Sequence, residues 1–475
     1  MGMVASVRWA AVAQGARVVA QLISTAVLAR LLPPSAYGLM AMAMTVTNLV
    51  FLFRDLGTSV AIIQRGELSE SMVCTVHWLN VGMGIASAVL LCAGAHPLAL
   101  VFGAPQLEWM IVLLASVFPI AGIGLVHQAL MERNSRFRDL ARIEAISAFG
   151  GLIVAICLAA AGAGIWSLVC QMVFSTLLST VQLVMTSPWK SRLIFVKKDL
   201  VEIMQTGTDM TLFRLFIYLE QNIDSIVIGR LIGSSALGIY SMAYKVMLLP
   251  LQNLTAVASR TLLPALSRNQ HALRTMGILY LRSVSLVCVV TAPMMAGAFI
   301  LREELVVILF GPRWAEVAEL LKWLAPVGFI QSVTTGTGVV FMALGKSRQM
   351  LKLGMFGAVL QVGAFLLGVR WGIEGVAASY LIANILNFLP CFFMANRLLK
   401  ITLVDALQAL AKPIGSACFM LLVLYVLVPS IDAVGLHLLN GFVLKVLIGA
   451  SAYVFALFVL MRQSMVDILA LARFS

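Results

Sequence analysis

Apolar residues run along nearly the whole chain in blocks of about 20, each closed by a short polar interruption, the period of helices that cross a bilayer. Windows of about 19 residues resolve roughly fourteen such blocks. They begin near Trp9, Gly38, Met72, Leu107, Ile143, Gly164, Val201, Gly238, Met276, Ala315, Leu353, Gly375, Lys412 and Gly441. The pattern predicts an all-α polytopic membrane protein. Its first block, Trp9–Ala29, is too long for a signal-peptide core, carries Arg17 and leads into a Pro-Pro turn, so it is read as a retained first helix.

Inside several blocks, polar residues recur at helical spacing and so share a face. Gln14, Arg17, Gln21 and Ser24 form such a stripe in the first helix. Thr211, Arg214, Tyr218, Gln221 and Ser225 form one in the seventh, and Ser241, Lys245, Gln252, Thr255 and Ser259 one in the eighth. The second helix adds Asn48, Arg54 and Asp55. An ion near the bilayer centre costs at least about 2.5–3.5 kcal/mol on insertion scales, so these groups are expected to face a wet cavity or a partner. The Ser, Thr and Gln positions fit interhelical hydrogen bonding at least as well. Arg17 and Arg214 favour the cavity, because guanidinium is a costly adhesive and a bidentate partner for phosphate. Arg54 has three readings: cavity cation, partner of Asp55, or a side chain snorkelling to the membrane surface. Asp209, Glu220 and Asp224 are candidates for carrying a coupling ion or for pairing with Arg214 and Lys245.

The chain also repeats. ARLLPPSAYGLMAMA (29–43) aligns with GRLIGSSALGIYSMA (229–243), with Arg30/Arg230, Ser35/Ser235, Gly38/Gly238 and Met42/Met242 among the identities at an offset of 200, shared by Gln21/Gln221. That offset holds about six helices, an even number, so both copies enter the membrane from one side and form a parallel repeat. The expected organisation is two parallel six-helix lobes, residues 1–190 and 191–411, followed by two further helices in 412–475. Prolines at 119, 250, 293 and 326 interrupt apolar spans and are expected to kink them, as hinges or simply to shape packing.

Composition fixes the solvent: 61% of the 475 residues are hydrophobic and 11% charged, so most of the chain meets lipid. The net charge of +13 is a topology signal, with no implication of nucleic-acid binding. Basic residues crowd 131–142, 187–200, 345–352 and 396–412 and nearly vanish from 30–37, 93–106, 161–164 and 429–440. The count, roughly 20 against about 5, places both termini in the cytoplasm. The seven cysteines form no CxxC or Cys/His cluster, which predicts neither disulfides nor a metal site. The five histidines look isolated and suited to interfacial hydrogen bonds. With no GxxxxGK[ST], HExxH or GxSxG, and no loop longer than about 20 residues, an enzyme is not expected.

Segments 29–64 and 229–268 resemble the Wzx-type polysaccharide transporter family of the multidrug/oligosaccharidyl-lipid/polysaccharide (MOP) flippase superfamily, in its exopolysaccharide, colanic-acid-like branch. The resemblance spans essentially the whole chain. It implies a multi-pass flippase of the bacterial inner membrane that moves an undecaprenyl-diphosphate-linked oligosaccharide from the cytoplasmic to the periplasmic leaflet for polysaccharide synthesis. It further implies alternating access of two lobes around a cationic cavity, with proton or sodium coupling, no other cofactor, and polymerase and export machinery as partners. Arg17, Arg214, Lys245 and Arg54 are then the diphosphate-binding candidates. Gln14, Gln21, Tyr218, Gln221 and Gln252 would line the cavity, and Asp55, Asp209, Glu220 and Asp224 would serve ion coupling. The competing readings are a drug/cation antiporter of the same superfamily and a membrane enzyme of polysaccharide assembly.

Overall fold

The computed structural model describes residues 3–54, 62–63, 68–196, 218, 222–270 and 272–472. For helical residues 3–14, 16–17, 53–54, 250, 252–261 and 461–472 it describes the backbone course alone. The described residues are helical almost throughout. In chain order they form α1 (Met3–Leu31), α2 (Pro34–Arg54), α3 (Glu70–Phe102), α4 (Gln106–Ala115), α5 (Val117–Arg133), α6 (Phe137–Ala160) and α7 (Trp166–Thr186). After the helical run 222–231 come α8 (Ser234–Arg268), α9 (Leu273–Ile300), α10 (Arg302–Phe310), α11 (Ala315–Ala343), α12 (Ser347–Gly368), α13 (Gly372–Leu398), α14 (Leu403–Ala433) and α15 (Leu438–Ala472). Among the described residues, ten stretches are long and apolar enough to cross a membrane, with Ser347–Leu398 counted as one. The block expected from Val201 lies outside the described residues until Tyr218.

Helix ends follow local chemistry. Ser69 caps α3 by accepting the Met72 N–H at 3.2 Å, and Gly103, at φ 65°, closes it by returning its N–H to the last-turn carbonyls. The 33 residues between span about 50 Å, enough to cross the hydrocarbon with a turn to spare at each end. Thr402 starts α14 by accepting the Asp405 N–H at 3.2 Å while donating its hydroxyl to the Asp405 carboxylate at 2.6 Å. That cap starts the helix at Leu403, so Lys412, expected at the mouth of a span, is its tenth residue.

The prolines act unequally. The block from Leu107 divides at Ser116 into α4 and α5, because Pro119 has no N–H for the Ala115 carbonyl and the Ser116 hydroxyl takes the Leu113 carbonyl at 2.7 Å. Helices α8, α9 and α11 continue through Pro250, Pro293 and Pro326.

The chain divides into two compact units, Met1–Gly238 and Ile239–Ser475. In the first, α3 and α5 approach closely through small residues. A Cβ on Gly84 would stand 2.7 Å from the Phe118 carbonyl oxygen, and one on Gly122 would stand 2.8 Å from that of Asn80. The second unit buries Tyr280, Val284, Cys288, Val340 and Phe392 where α9, α11 and α13 meet. Outward positions are apolar as well: Met185, Val359, Leu422, Tyr425, Val426, Phe455 and Phe458 are all exposed, the surface a bilayer would cover.

Candidate functional site

Several expected site residues lie outside the described ones. Asp55, Asp209, Arg214, Glu220 and Gln221 do, as do the side chains of Gln14, Arg17, Arg54 and Gln252. Arg17 and Gln14 sit on α1, Arg54 ends α2, and Gln252 lies on α8.

The remaining members show how the polar stripes are used. Ser24 of the α1 stripe accepts a hydrogen bond from Gln171 Nε2 of α7 at 3.0 Å, so this position serves as interhelical glue. Gln21, one turn earlier, is exposed, and its carbonyl accepts the Thr25 hydroxyl at 2.8 Å. Tyr218 donates its hydroxyl to the Thr45 carbonyl of α2 at 2.6 Å, which ties the seventh expected span to the second. Asp224 is buried, and its carboxylate accepts the Ser225 N–H at 2.6 Å. Lys245 lies well inside α8 and is exposed from the protein.

The repeat has a physical counterpart. Gly38 of α2 and Gly238 of α8 lie against each other within the first unit. A Cβ on Gly38 would overlap the Ser234 carbonyl oxygen and stand 2.9 Å from the Gly238 nitrogen. One on Gly238 would overlap the Pro34 carbonyl oxygen and stand 3.0 Å from the Gly38 nitrogen. Equivalent residues of the two copies thus meet backbone to backbone.

Three clusters escaped the sequence reading. In the second unit, Gln331 Nε2 of α11 donates to the Tyr380 hydroxyl at 2.8 Å and to Asn384 Oδ1 at 3.3 Å, both on α13. The i, i+4 spacing of Tyr380 and Asn384 inside an apolar run was the available signal. In the first unit, His77 and His127 are not isolated: both are buried, their ring centroids are 6.0 Å apart, and Trp189 packs on both. Neither Nδ1 has a hydrogen-bond partner among the described residues, unlike exposed His96, which meets Glu108 at 3.0 Å as an interfacial histidine would. The segment bearing Trp189 is fastened to α3 by Trp78 Nε1 donating to the Arg192 carbonyl at 2.8 Å and by the Arg192–Glu70 ion pair at 3.0 Å.

The third cluster is Lys445 of α15, only 2% exposed, held between Glu304 of α10 at 2.5 Å and Asp432 of α14 at 2.6 Å. Its two partners come from 141 and 13 residues away, beyond any helical spacing rule. Lys445→Met should destabilise the protein by about 1–3 kcal/mol, since it leaves two neighbouring carboxylates without their cation, although the exposure of Asp432 allows part of that charge to rehydrate. Thermal unfolding of the purified variant should show a lower Tm, recovered in part by adding Glu304→Gln.

This architecture, apolar helices long enough to span a bilayer with ionisable groups among them, is a polytopic α-helical membrane fold, and solved structures share it. The chain superposes on the lipid II flippase MurJ in its inward closed conformation with a TM-score of 0.77, at 14% identity, over 96% of this chain and 99% of that one. An inward-facing multidrug resistance MATE family transporter of the MOP superfamily matches at 0.63, at 16% identity, over 82% and 98%. Within that fold the chain belongs to the polysaccharide biosynthesis protein family, which matches residues 27–319. Its relatives include the lipopolysaccharide biosynthesis protein WzxC of Escherichia coli (strain K12), 25% identical over 82% of this chain and 80% of that one. The succinoglycan biosynthesis transport protein ExoT of Rhizobium meliloti (strain 1021) is 26% identical over 94% and 90%. The teichuronic acid biosynthesis protein TuaB of Bacillus subtilis (strain 168) is 26% identical over 85% and 84%.

Proposed function

We propose that this protein flips an undecaprenyl-diphosphate-linked oligosaccharide repeat unit from the cytoplasmic to the periplasmic leaflet of the bacterial inner membrane, feeding exopolysaccharide or O-antigen synthesis. The family match carries the reading, since residues 27–319 fall in a polysaccharide biosynthesis family and a relative along nearly the full length is a transport protein. The chemistry agrees. A diphosphate head needs cations in a wet interior, which Lys245, Arg17, Arg214 and Arg54 would supply, while the lipid tail stays in the bilayer. The lobes 1–190 and 191–411 would alternate access around that cavity, with both termini cytoplasmic and a proton or sodium ion carried by Asp55, Asp209, Glu220 or Asp224. Polymerase and export proteins would take over the product.

Depletion of the protein in its host tests this. Surface polysaccharide should fall while completed lipid-linked repeat units accumulate in the leaflet facing the basic loops. Accumulation of the bare lipid carrier, or on the opposite leaflet, would overturn the reading. A drug/cation antiporter would leave the polysaccharide untouched and change drug tolerance instead.

A further inference from the structure

A second candidate site shares no residue with those proposed to line the transport cavity. Helices α9 and α14, with the turn that precedes α14, enclose an open groove of about 890 Å³. Its polar end carries four cations, Arg274, Arg282, Lys400 and Lys412, against one carboxylate, Asp405, which is engaged in capping α14 through Thr402. The rest is aliphatic: Ile278, Leu281, Leu286 and Val289 continue along the α9 wall.

The cations are graded in depth. Arg274 is the second residue of α9, and Lys400 immediately precedes the cap of α14, so both mark the groove mouth. Arg282 and Lys412 are each the tenth residue of their helices, and Arg282 lies about 12 Å further in along the axis than Arg274. A cation set this far inside a span, as Arg282 is, is costly in lipid unless an anion lies beside it. Arg274, Arg282 and Lys400 make no ion pair among the described residues. The groove lies beside exposed apolar positions of the same helices, Ile278, Leu286, Leu407 and Ile414, so it opens where bilayer lipid stands.

We propose that this groove is a binding site for an anionic phospholipid of the surrounding bilayer. The phosphate is held by Arg282 and Lys412, with Arg274 and Lys400 at the mouth, and one acyl chain lies along Ile278, Leu281, Leu286 and Val289. Basic pockets between membrane helices recognise lipid headgroups in this way, and long cationic side chains reach up to the phosphate layer. A bulk phospholipid suits the site better than the transported lipid because the groove faces outward and its occupant is always present at high concentration. The bound lipid would fasten α14, which lies beyond the repeat, to α9.

The inference is independent of the transport reading, because the test measures lipid retention alone. Full-length protein would be purified into zwitterionic phosphatidylcholine nanodiscs and titrated with phosphatidylglycerol, with binding read by native mass spectrometry and by Tm. Wild-type protein should bind phosphatidylglycerol and gain Tm. Arg282→Gln/Lys412→Gln should bind at least tenfold more weakly, and Arg274→Gln/Lys400→Gln, altered only at the mouth, should fall between and keep the phosphatidylcholine Tm. Equal binding by wild type and both double variants would overturn the site. Displacement of the bound phosphatidylglycerol by undecaprenyl diphosphate would overturn its assignment to bulk phospholipid and give it to the substrate.

Discussion

Replacing Arg17 or Arg214 with alanine is expected to cut polysaccharide export per inserted molecule by about tenfold to a hundredfold. A charge-assisted hydrogen bond to the diphosphate is worth roughly 1.5–3 kcal/mol, and each 1.4 kcal/mol is a factor of about ten in affinity. Lysine keeps the charge and loses the planar fork that grips two phosphate oxygens, so Arg17→Lys should lie between alanine and wild type. The competing role for such residues is glue between helices, the use the structure shows for Ser24 of the same α1 stripe. Glue predicts less protein in the membrane and normal transport by the molecules that remain. Export therefore has to be normalised to membrane-inserted protein, and normal export per molecule in both alanine variants would remove the cationic-cavity mechanism.

The second large effect is expected at the paired glycines. Because a Cβ on either residue would overlap a backbone carbonyl, of Ser234 or of Pro34, no rotamer change relieves the clash and the helices must separate. Overpacking of this kind costs about 1–3 kcal/mol even where side chains can yield, and here only backbone can. Gly38→Ala and Gly238→Ala should each lower the Tm of the purified protein, and Gly38→Leu should sharply reduce folded yield. An alanine variant with unchanged Tm would show that the close approach is not maintained in the membrane. Gly15 is the control: among the described residues a Cβ there meets nothing within 4 Å, so Gly15→Ala should be neutral or slightly stabilising through helix propensity.

These two predictions differ in how far the sequence alone could carry them. Helix identity was legible because each span is an uninterrupted apolar block, and Gly38/Gly238 were legible as repeat partners. Their contact was not, since an offset in sequence says which residues are equivalent and nothing about which ones touch. The prolines were legible as interruptions, but their differing effects were not: Pro119, three residues past Ser116, accompanies a division of its span, whereas those at 293 and 326 leave their helices continuous. The cap at Thr402 was similarly overlooked, which placed Lys412 at a helix mouth when it lies ten residues inside. Long-range polar clusters had no periodic signature. His77 and His127 are 50 positions apart, and Lys445 finds Glu304 across 141. Among the expected site residues, those that periodicity placed on shared faces divide between uses. Ser24 and Tyr218 join helices, and Lys245 is exposed from the protein.

Flipping itself is tested most directly by reconstitution. Purified protein would be placed in liposomes whose outer leaflet holds a labelled undecaprenyl-diphosphate oligosaccharide, with transfer followed by protection of the label from an impermeant sugar-modifying reagent. The account predicts transfer that depends on protein, falls at least tenfold in Arg17→Ala and Arg214→Ala, and quickens under an imposed proton or sodium gradient unless Glu220 and Asp224 are amidated. Transfer no faster than in protein-free liposomes, in preparations whose folded state is confirmed by their Tm, would contradict it.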